Sequence, residues 1–204
     1  SALRLQRERL RISRDLHDNL GAELTIIGSS LARSVAHAPT DTEKRALEAI
    51  RNNARQAMSQ LRETIWAIRY EQFSLSDLAE KVSDFATRAG AAPLAVSLPD
   101  NCDWRLSPSQ TLNLFRIAQE AINNSLKYSG ATGMSLVFEL PSDNQLLMRI
   151  SDNGCGFDTA QRANAGNGLG NMKIRAEELD GSLEIQSAAG EGTSVVVRAP
   201  FFLV

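Results

Sequence analysis

Cysteine is nearly absent from the 204-residue chain: Cys102 and Cys155 lie in different segments and show no metal-ligand spacing. That argues against a disulfide framework and for a reducing compartment, so the segment reads as cytoplasmic. No run approaches the roughly 20 apolar residues of a membrane helix, and no signal peptide precedes the first helix; no membrane contact is expected from this segment itself. Charge of one sign is also lacking. The formal net charge is -2, which gives no global attraction to nucleic acid or an anionic membrane, so a charged partner has to be met locally. The basic cluster Arg4, Arg7, Arg9, Arg11 and Arg14 reads as a solvated helix face. There is no internal repeat and no low-complexity tract, and 43% hydrophobic with 23% charged residues suits a globular protein of one generous or two small domains. The chain starts abruptly inside a helical pattern, so the expectation is an excised core, with a sensor or anchor left open.

Histidine is scarce too, and one of the two residues sits in a telling place. Ile12, Leu16, Leu20, Leu24, Ile27, Leu31 and Val35 recur at intervals of three and four, predicting one buried stripe of a long helix from about Leu3 to Ala36. His17 falls just off that stripe with Asp18 beside it, and Gly21 one turn later leaves the surface above bare. Asp18 can orient the imidazole through one nitrogen and raise the nucleophilicity of the other. Alone, the pair is better described as a solvent-facing histidine with a charged neighbour. His37, near Pro39 at the helix end, reads as a solvated cap.

The stretch 38–41 breaks the helix, and Asp41 or Thr42 is placed to cap the next one. Ala46, Ile50, Ala54, Ala57, Leu61, Ile65 and Ile68 then form a second stripe. Two long helices joined by a short loop make an antiparallel hairpin that cannot enclose a core by itself. A second copy completes a four-helix bundle, so a homodimer through the hairpin is expected. Packing of the hairpin on the rest of its own chain is the alternative, disfavoured because the stripes run nearly the full helix length.

Helical pattern weakens over Arg69-Tyr70-Glu71-Gln72-Phe73, a candidate hinge from Arg69 to Ser74 with Trp66 and Phe73 as latch or plain core residues. Ser74 with Asp77 starts a helix reaching to Gly90. Leu94 to Leu98 reads as a strand, and Ser107-Pro108 opens a helix running to Tyr128 with Gly130 as its stop. The period then changes to two: Met134 to Leu140 and Gln145 to Ser151 form a hairpin across 141–144. A glycine-rich loop, a helix from about Leu169 to Leu179, and strands Ser182 to Ser187 and Thr193 to Ala199 follow. The fold class is therefore α plus α/β: a helical hairpin over 1–73, then a two-layer α/β sandwich with a mixed sheet over 74–204.

Three motifs in the second part are individually weak. Glu120, Asn124 and Lys127 are spaced four and three apart on one helix face, and a hard oxygen beside an acid and a cation suits magnesium bridging phosphates. Asp152-Asn153-Gly154-Cys155-Gly156 follows a strand, where a carboxylate can accept the adenine amino group while glycines admit the base. Gly166-Asn167-Gly168-Leu169-Gly170 opens a helix whose free N–H groups can hold phosphates. An exposed polar face, a turn and a flexible connection are the plain alternatives.

Taken together, these stretches carry a resemblance. Arg11-Ile12-Ser13-Arg14-Asp15-Leu16-His17-Asp18-Asn19-Leu20-Gly21 resembles the phosphoacceptor box of the histidine kinase subfamily that includes nitrate and membrane-fluidity sensors. The three motifs, in this order and with Gly190-Glu191-Gly192-Thr193, resemble the N, G1 and G2 boxes of the ATP-binding fold shared by histidine kinases, Hsp90-type chaperones, gyrase and MutL. The resemblance covers about residues 3–70 and 74–200. It implies a magnesium-ATP-dependent sensor kinase core that phosphorylates His17 and passes the group to an aspartate on a response regulator receiver domain. By matching positions, Asn124 would bind magnesium with Glu120 beside it, and Lys127 would face the phosphates. Asp152 would read adenine, Gly154, Gly156, Gly168, Leu169 and Gly170 would shape the pocket, and Thr193 would sit near the base. Tyr128 stands where many relatives have histidine, and the connection from Asp158 to Gly166 would be a lid ordered by ATP. The subfamily's box usually continues to a glutamine four residues after its aspartate, whose amide positions water for dephosphorylating the regulator. Here that residue is Ala22, so a kinase-biased enzyme with weak phosphatase activity is expected. A nucleotide-binding scaffold and an ATP-driven clamp are the rivals; the His-Asp pair on a dimerising helix argues against the clamp, and the presence of Asn124 and Asp152 against the scaffold.

Overall fold

The computed structural model describes residues 2–69, 72–100, 104–142, 144–158 and 167–200, excepting the side chains of Ala2, His17 and Asn167. The chain separates into two compact units, Ser1–Glu71 and Gln72–Val204.

The first unit is the helical hairpin. Its first arm is α1 (Ala2–Asp15), a π-helical turn π1 (Leu16–Leu20) and α2 (Gly21–Ala36); its second is α3 (Asp41–Arg69). The arm is thus one continuous helix with a widened turn, in which the Gly21 N–H donates to the Leu16 carbonyl. Periodicity did not anticipate that turn. The cap of α3 also differs from expectation. Thr40, not Asp41 or Thr42, accepts from the Glu43 N–H at 3.3 Å, while its hydroxyl donates to the Glu43 carboxylate at 2.9 Å. His37 closes α2, its Nδ1 2.8 Å from the Arg33 carbonyl. Much of the first stripe stays open on the hairpin: Ile12, Leu20 and Ile27 are 37%, 44% and 47% exposed, whereas Val35 is buried.

The second unit opens with β1 (Phe73–Ser74), which pairs antiparallel with β3 (Arg105–Leu106). Helix α4 (Leu75–Ala89) carries a full capping box, Ser74 with Asp77, and ends at Gly90 in the left-handed region. Helix α5 (Pro108–Asn124) has a second capping box, Ser107 with Gln110, and runs on into a π-helical turn π2 (Ser125–Ser129) before Gly130. The remaining elements are β2 (Leu94–Ser97), β4 (Met134–Ser142), β5 (Gln145–Asp152), α6 (Asn167–Glu177), β6 (Ser182–Ser187) and β7 (Thr193–Pro200). The five-stranded sheet has the order β2-β4-β5-β7-β6, with β2 parallel to β4 and the other neighbours antiparallel. On β4, Met134, Leu136 and Phe138 are buried while the residues between them are half-buried, the period of two that fixes which face meets the helices. Leu78 and Val82 of α4, Phe115, Ile117 and Ile122 of α5 and Met172 and Ala176 of α6 complete the core. Among the described residues, no helix is long and apolar enough to cross a membrane. Cys155 is a free, exposed thiol; Cys102 lies outside the described residues.

The expected hinge is trimmed by these contacts. Phe73 is only 3% exposed and is paired with Leu106, and the Ser74 hydroxyl and Asp77 carboxylate lock the next turn. Neither residue is available to bend, and Arg69 is still helical; residues 70 and 71 of the expected hinge lie outside those described. Phe73→Ala should therefore behave as a core truncation and lower the unfolding free energy of the second unit by about 3–5 kcal/mol. Urea unfolding would measure it, and a loss below about 1 kcal/mol would mean that Phe73 is not a core anchor.

Candidate active site

Helix α5 builds one wall of the site. Its apolar face is held on the sheet by Leu114, Phe115, Ile117, Ala118 and Ile122, which turns Glu120 and Asn124 outward along one edge. The π2 turn then shifts the helical phase just where Lys127 and Tyr128 emerge. Glu120, Asn124, Lys127 and Tyr128 all line a single cavity of about 600 Å³. Asp152, Cys155, Gly156 and Phe157 from the end of β5, Gly168 and Leu169 from the start of α6, and Thr193 from β7 line the same space. Of the residues to which the resemblance gave individual roles in nucleotide binding, Gly154 and Gly170 are not among those lining it.

Close backbone approach defines the site. The Cys155 N–H donates to the Ser129 carbonyl at 2.8 Å and its thiol to the Tyr128 carbonyl at 3.2 Å, while the Gly190 N–H donates to the Cys155 carbonyl at 2.7 Å. The loop is therefore clamped between the end of π2 and the turn before β7. A Cβ on Gly154 would overlap the Ser129 carbonyl and side chain, so this glycine acts by letting the loop seat. Gly156 has φ +60, and a Cβ there would overlap the Ala188 carbonyl. A Cβ on Gly168 would overlap the Glu120 carboxylate, so the start of α6 rests directly against that acid. Gly170 differs: nothing lies within 4 Å of where its Cβ would be.

The polar groups are oriented from behind. One Asp152 oxygen accepts from the Gly154 N–H at 2.8 Å. Thr193 Oγ1 shares a 3.0 Å hydrogen bond with Ser187 Oγ, which also accepts from the Phe157 N–H at 2.9 Å. Asn153, absent from the sequence reading as a positioning group, accepts from the N–H groups of Thr132 and Gly133, both at 2.9 Å, and donates to Thr132 Oγ1 at 3.0 Å. Its place between Asp152 and the first glycine was the one available signal. The apolar lining, Met134, Ile150, Met172, Ile185 and Val195, was also missed; these residues read as ordinary core until the sheet is assembled. The result is a cavity with an apolar lining and four polar groups, the carboxylates of Asp152 and Glu120, the amide of Asn124 and the ammonium of Lys127. That suits a flat heteroaromatic ring carrying an anionic tail.

Among the described residues, no three His, Cys, Asp or Glu side chains cluster as a metal cage. Glu120 and Asn124, one turn apart on the cavity wall, offer two hard oxygens, a donor set fitting magnesium that takes its other ligands from phosphate and water. The expected lid falls on 159–166, outside the described residues. In the hairpin, His17 and Asp18 occupy π1, and a Cβ at Gly21 would meet open space. Wide turns of this kind recur at functional positions.

Residues 8–73 match the family model described as histidine kinase, and residues 109–202 match that described as histidine kinase-, DNA gyrase B- and HSP90-like ATPase. The sensor histidine kinase LiaS of Bacillus subtilis (strain 168) is 31% identical over 97% of this chain and 55% of its own. The sensor protein VraS of Staphylococcus haemolyticus (strain JCSC1435) is 29% identical over 96% and 56% respectively. The chain thus spans about half the length of these relatives. Among solved structures, the histidine kinase domain of the blue-light activated kinase EL346 from Erythrobacter litoralis superposes with TM-score 0.56 at 16% identity, covering 87% of this chain and 96% of that one. The Acinetobacter baumannii histidine kinase AdeS gives 0.56 at 17%, covering 92% and 98%. At such identity the structural likeness is one of fold.

Two glycines at the start of α6 should separate cleanly. Gly168→Ala must displace the Glu120 carboxylate and should weaken magnesium-nucleotide binding roughly tenfold, about the worth of one hydrogen bond. Gly170→Ala has room, gains helix propensity and should bind within about twofold of the parent. Titration with a fluorescent ATP analogue measures both; equal affinities would show that Glu120 has no part in the site.

Proposed function

We propose, from the matches of residues 8–73 and 109–202 to the histidine kinase and related ATPase family models, that the chain is the core of a sensor histidine kinase whose second unit binds magnesium-ATP and delivers the γ-phosphoryl group to His17, from which an aspartate of a response regulator receiver domain takes it. The observation that supports this reading is the gathering of Glu120, Asn124, Lys127, Asp152, Gly156, Gly168 and Thr193 around one cavity, in a chain whose other unit carries His17 and Asp18 in a widened helical turn.

Asp152 accepts the adenine amino group while its other hydrogen bond, from Gly154, keeps it aimed; Thr193 flanks the ring, and Ile150, Met172 and Val195 exclude water from its faces. Asn124, with Glu120 beside it, would hold magnesium, which would supply neutralisation of phosphate charge. Lys127 adds a cation at the same end. At His17 the lone pair of one ring nitrogen forms the N–P bond while the bond to the bridging oxygen breaks, and ADP leaves with that electron pair. Asp18 accepts a hydrogen bond from the other ring N–H and takes its proton as positive charge develops on the ring. Positioning and charge neutralisation carry such a transfer.

The open stripe through Ile12, Leu20 and Ile27 supports a homodimer through the hairpin, completing a four-helix bundle. The exposed free thiol of Cys155 and the low cysteine count support a cytoplasmic setting, as the cytoplasmic part of an anchored sensor. Ala22, exposed on α2, offers a methyl group that can neither donate to nor accept from a water, which supports a kinase-biased enzyme.

After incubation with γ-labelled ATP, the protein should carry acid-labile, alkali-stable label that His17→Gln abolishes. Labelling of that variant equal to the parent would overturn the assignment of the acceptor. Separately, the parent should leave the regulator's phosphate nearly as long-lived as it is alone, and Ala22→Gln should shorten that lifetime; brisk dephosphorylation by the parent, unchanged by the substitution, would show that the function lies elsewhere.

A further inference from the structure

The hairpin carries a second concavity, about 510 Å³, that no step above uses. Asp18, Gly21, Ala22, Thr25 and Ile26 form one wall, and Met58, Leu61, Arg62 and Ile65 of α3 the other. Two features open it at the phosphoacceptor turn. Position 21 has no side chain and position 22 only a methyl. The i→i+5 hydrogen bonding of π1, seen in the Gly21 N–H donating to the Leu16 carbonyl, places position 17 one wide turn before Gly21 and Ala22, the residues that begin the concavity. Asp18, Ala22 and Thr25 lie off the apolar stripe of Leu20, Leu24 and Ile27, whereas Leu61 and Ile65 of the other wall belong to the second stripe, so the concavity borders the face a second copy would cover.

Arg62 is the one cation among its lining residues. Among the described residues its guanidinium makes one hydrogen bond, from Nη2 to the Met58 thioether at 2.7 Å. A thioether is a weak acceptor, which leaves most of a five-donor fork unspent. A phosphoryl group at position 17 brings about two negative charges next to the Asp18 carboxylate. Two anions at adjacent positions repel, and the transfer needs a cation there that the phosphoacceptor turn does not itself supply.

Resting on the kinase reading above, we propose that Arg62 is a further catalytic residue: from the facing helix it donates to the phosphoryl oxygens as the group arrives at His17. Its contribution appears as phosphoryl charge develops beside Asp18, so it acts on turnover and not on ATP capture.

The test compares the intact parent chain with Arg62→Gln and Arg62→Lys. Initial rates of label incorporation at His17 are followed against ATP concentration, with thermal unfolding of each protein. The expected result is a fall in kcat of about 10- to 100-fold for Arg62→Gln with KM for ATP unchanged, partial recovery in Arg62→Lys, and unaltered melting. A rate within about twofold of the parent for Arg62→Gln would overturn the role while leaving the kinase reading intact. A loss that tracks lowered melting and is not relieved by lysine would overturn it equally, by assigning Arg62 to the fold. An unlabelled parent would overturn both the role and the kinase reading.

Discussion

The nucleotide cavity depends on backbone segments meeting where no side chain would fit. The loop after β5 can lie against the end of π2 only because position 154 has no Cβ to strike Ser129, and it can turn under the strand-joining loop at 188–192 only because Gly156 takes φ +60. With that loop seated, the Asp152 carboxylate is held by the Gly154 N–H, Cys155 is bonded on both sides, and α6 starts against Glu120. The apolar lining of the cavity follows from the sheet order, which brings Ile150 of β5 and Val195 of β7 into register under the helix layer. A larger residue at 154 or 156 would separate the cavity's polar groups before it touched any ligand.

Helical phase is the second recurrent device. Both units set a π-helical turn in a long helix, within it in the first and at its end in the second, and both turns carry singled-out residues: His17 and Asp18 in π1, Lys127 in π2. A widened turn costs backbone hydrogen-bond quality and is retained where it re-aims side chains. In the hairpin it carries position 17 just before Gly21 and Ala22; in the second unit it carries Lys127 and Tyr128, which line the cavity that Asn124 already borders. An uninterrupted helix would carry the same residues a quarter-turn or so away from these places.

Much of this was legible in the sequence because local chemistry and periodicity agree there. A change of period to two marked β4 and β5, Ser74 with Asp77 and Ser107-Pro108 marked the starts of α4 and α5, and Gly90 and Gly130 marked their ends. What stayed hidden has physical reasons. An apolar repeat of three and four averages over a helix and does not register one widened turn. Strands of two residues, β1 and β3, have no period to read, so Phe73 could be a latch or a core residue until its pairing with Leu106 appeared. Thr40 was passed over for Asp41 because both cap well, and Glu43 decides between them only once its carboxylate meets the threonine hydroxyl. Gly168 and Gly170 are indistinguishable in a glycine motif, although only the first abuts another side chain. Arg62, an exposed arginine on a charged helix, reads as a solvated side chain until the opposite wall is known.

The central claim is that a nucleotide held in the cavity of the second unit phosphorylates the histidine in the widened turn of the first. Site mapping by electron-transfer mass spectrometry, on protein incubated with magnesium-ATP and kept above neutral pH, tests it most directly. The expected result is phosphate on His17, with His37 unmodified and no phosphate on any peptide of an Asn124→Ala protein. Phosphate on His37 or on a hydroxyl residue, or on His17 undiminished in Asn124→Ala, would contradict it.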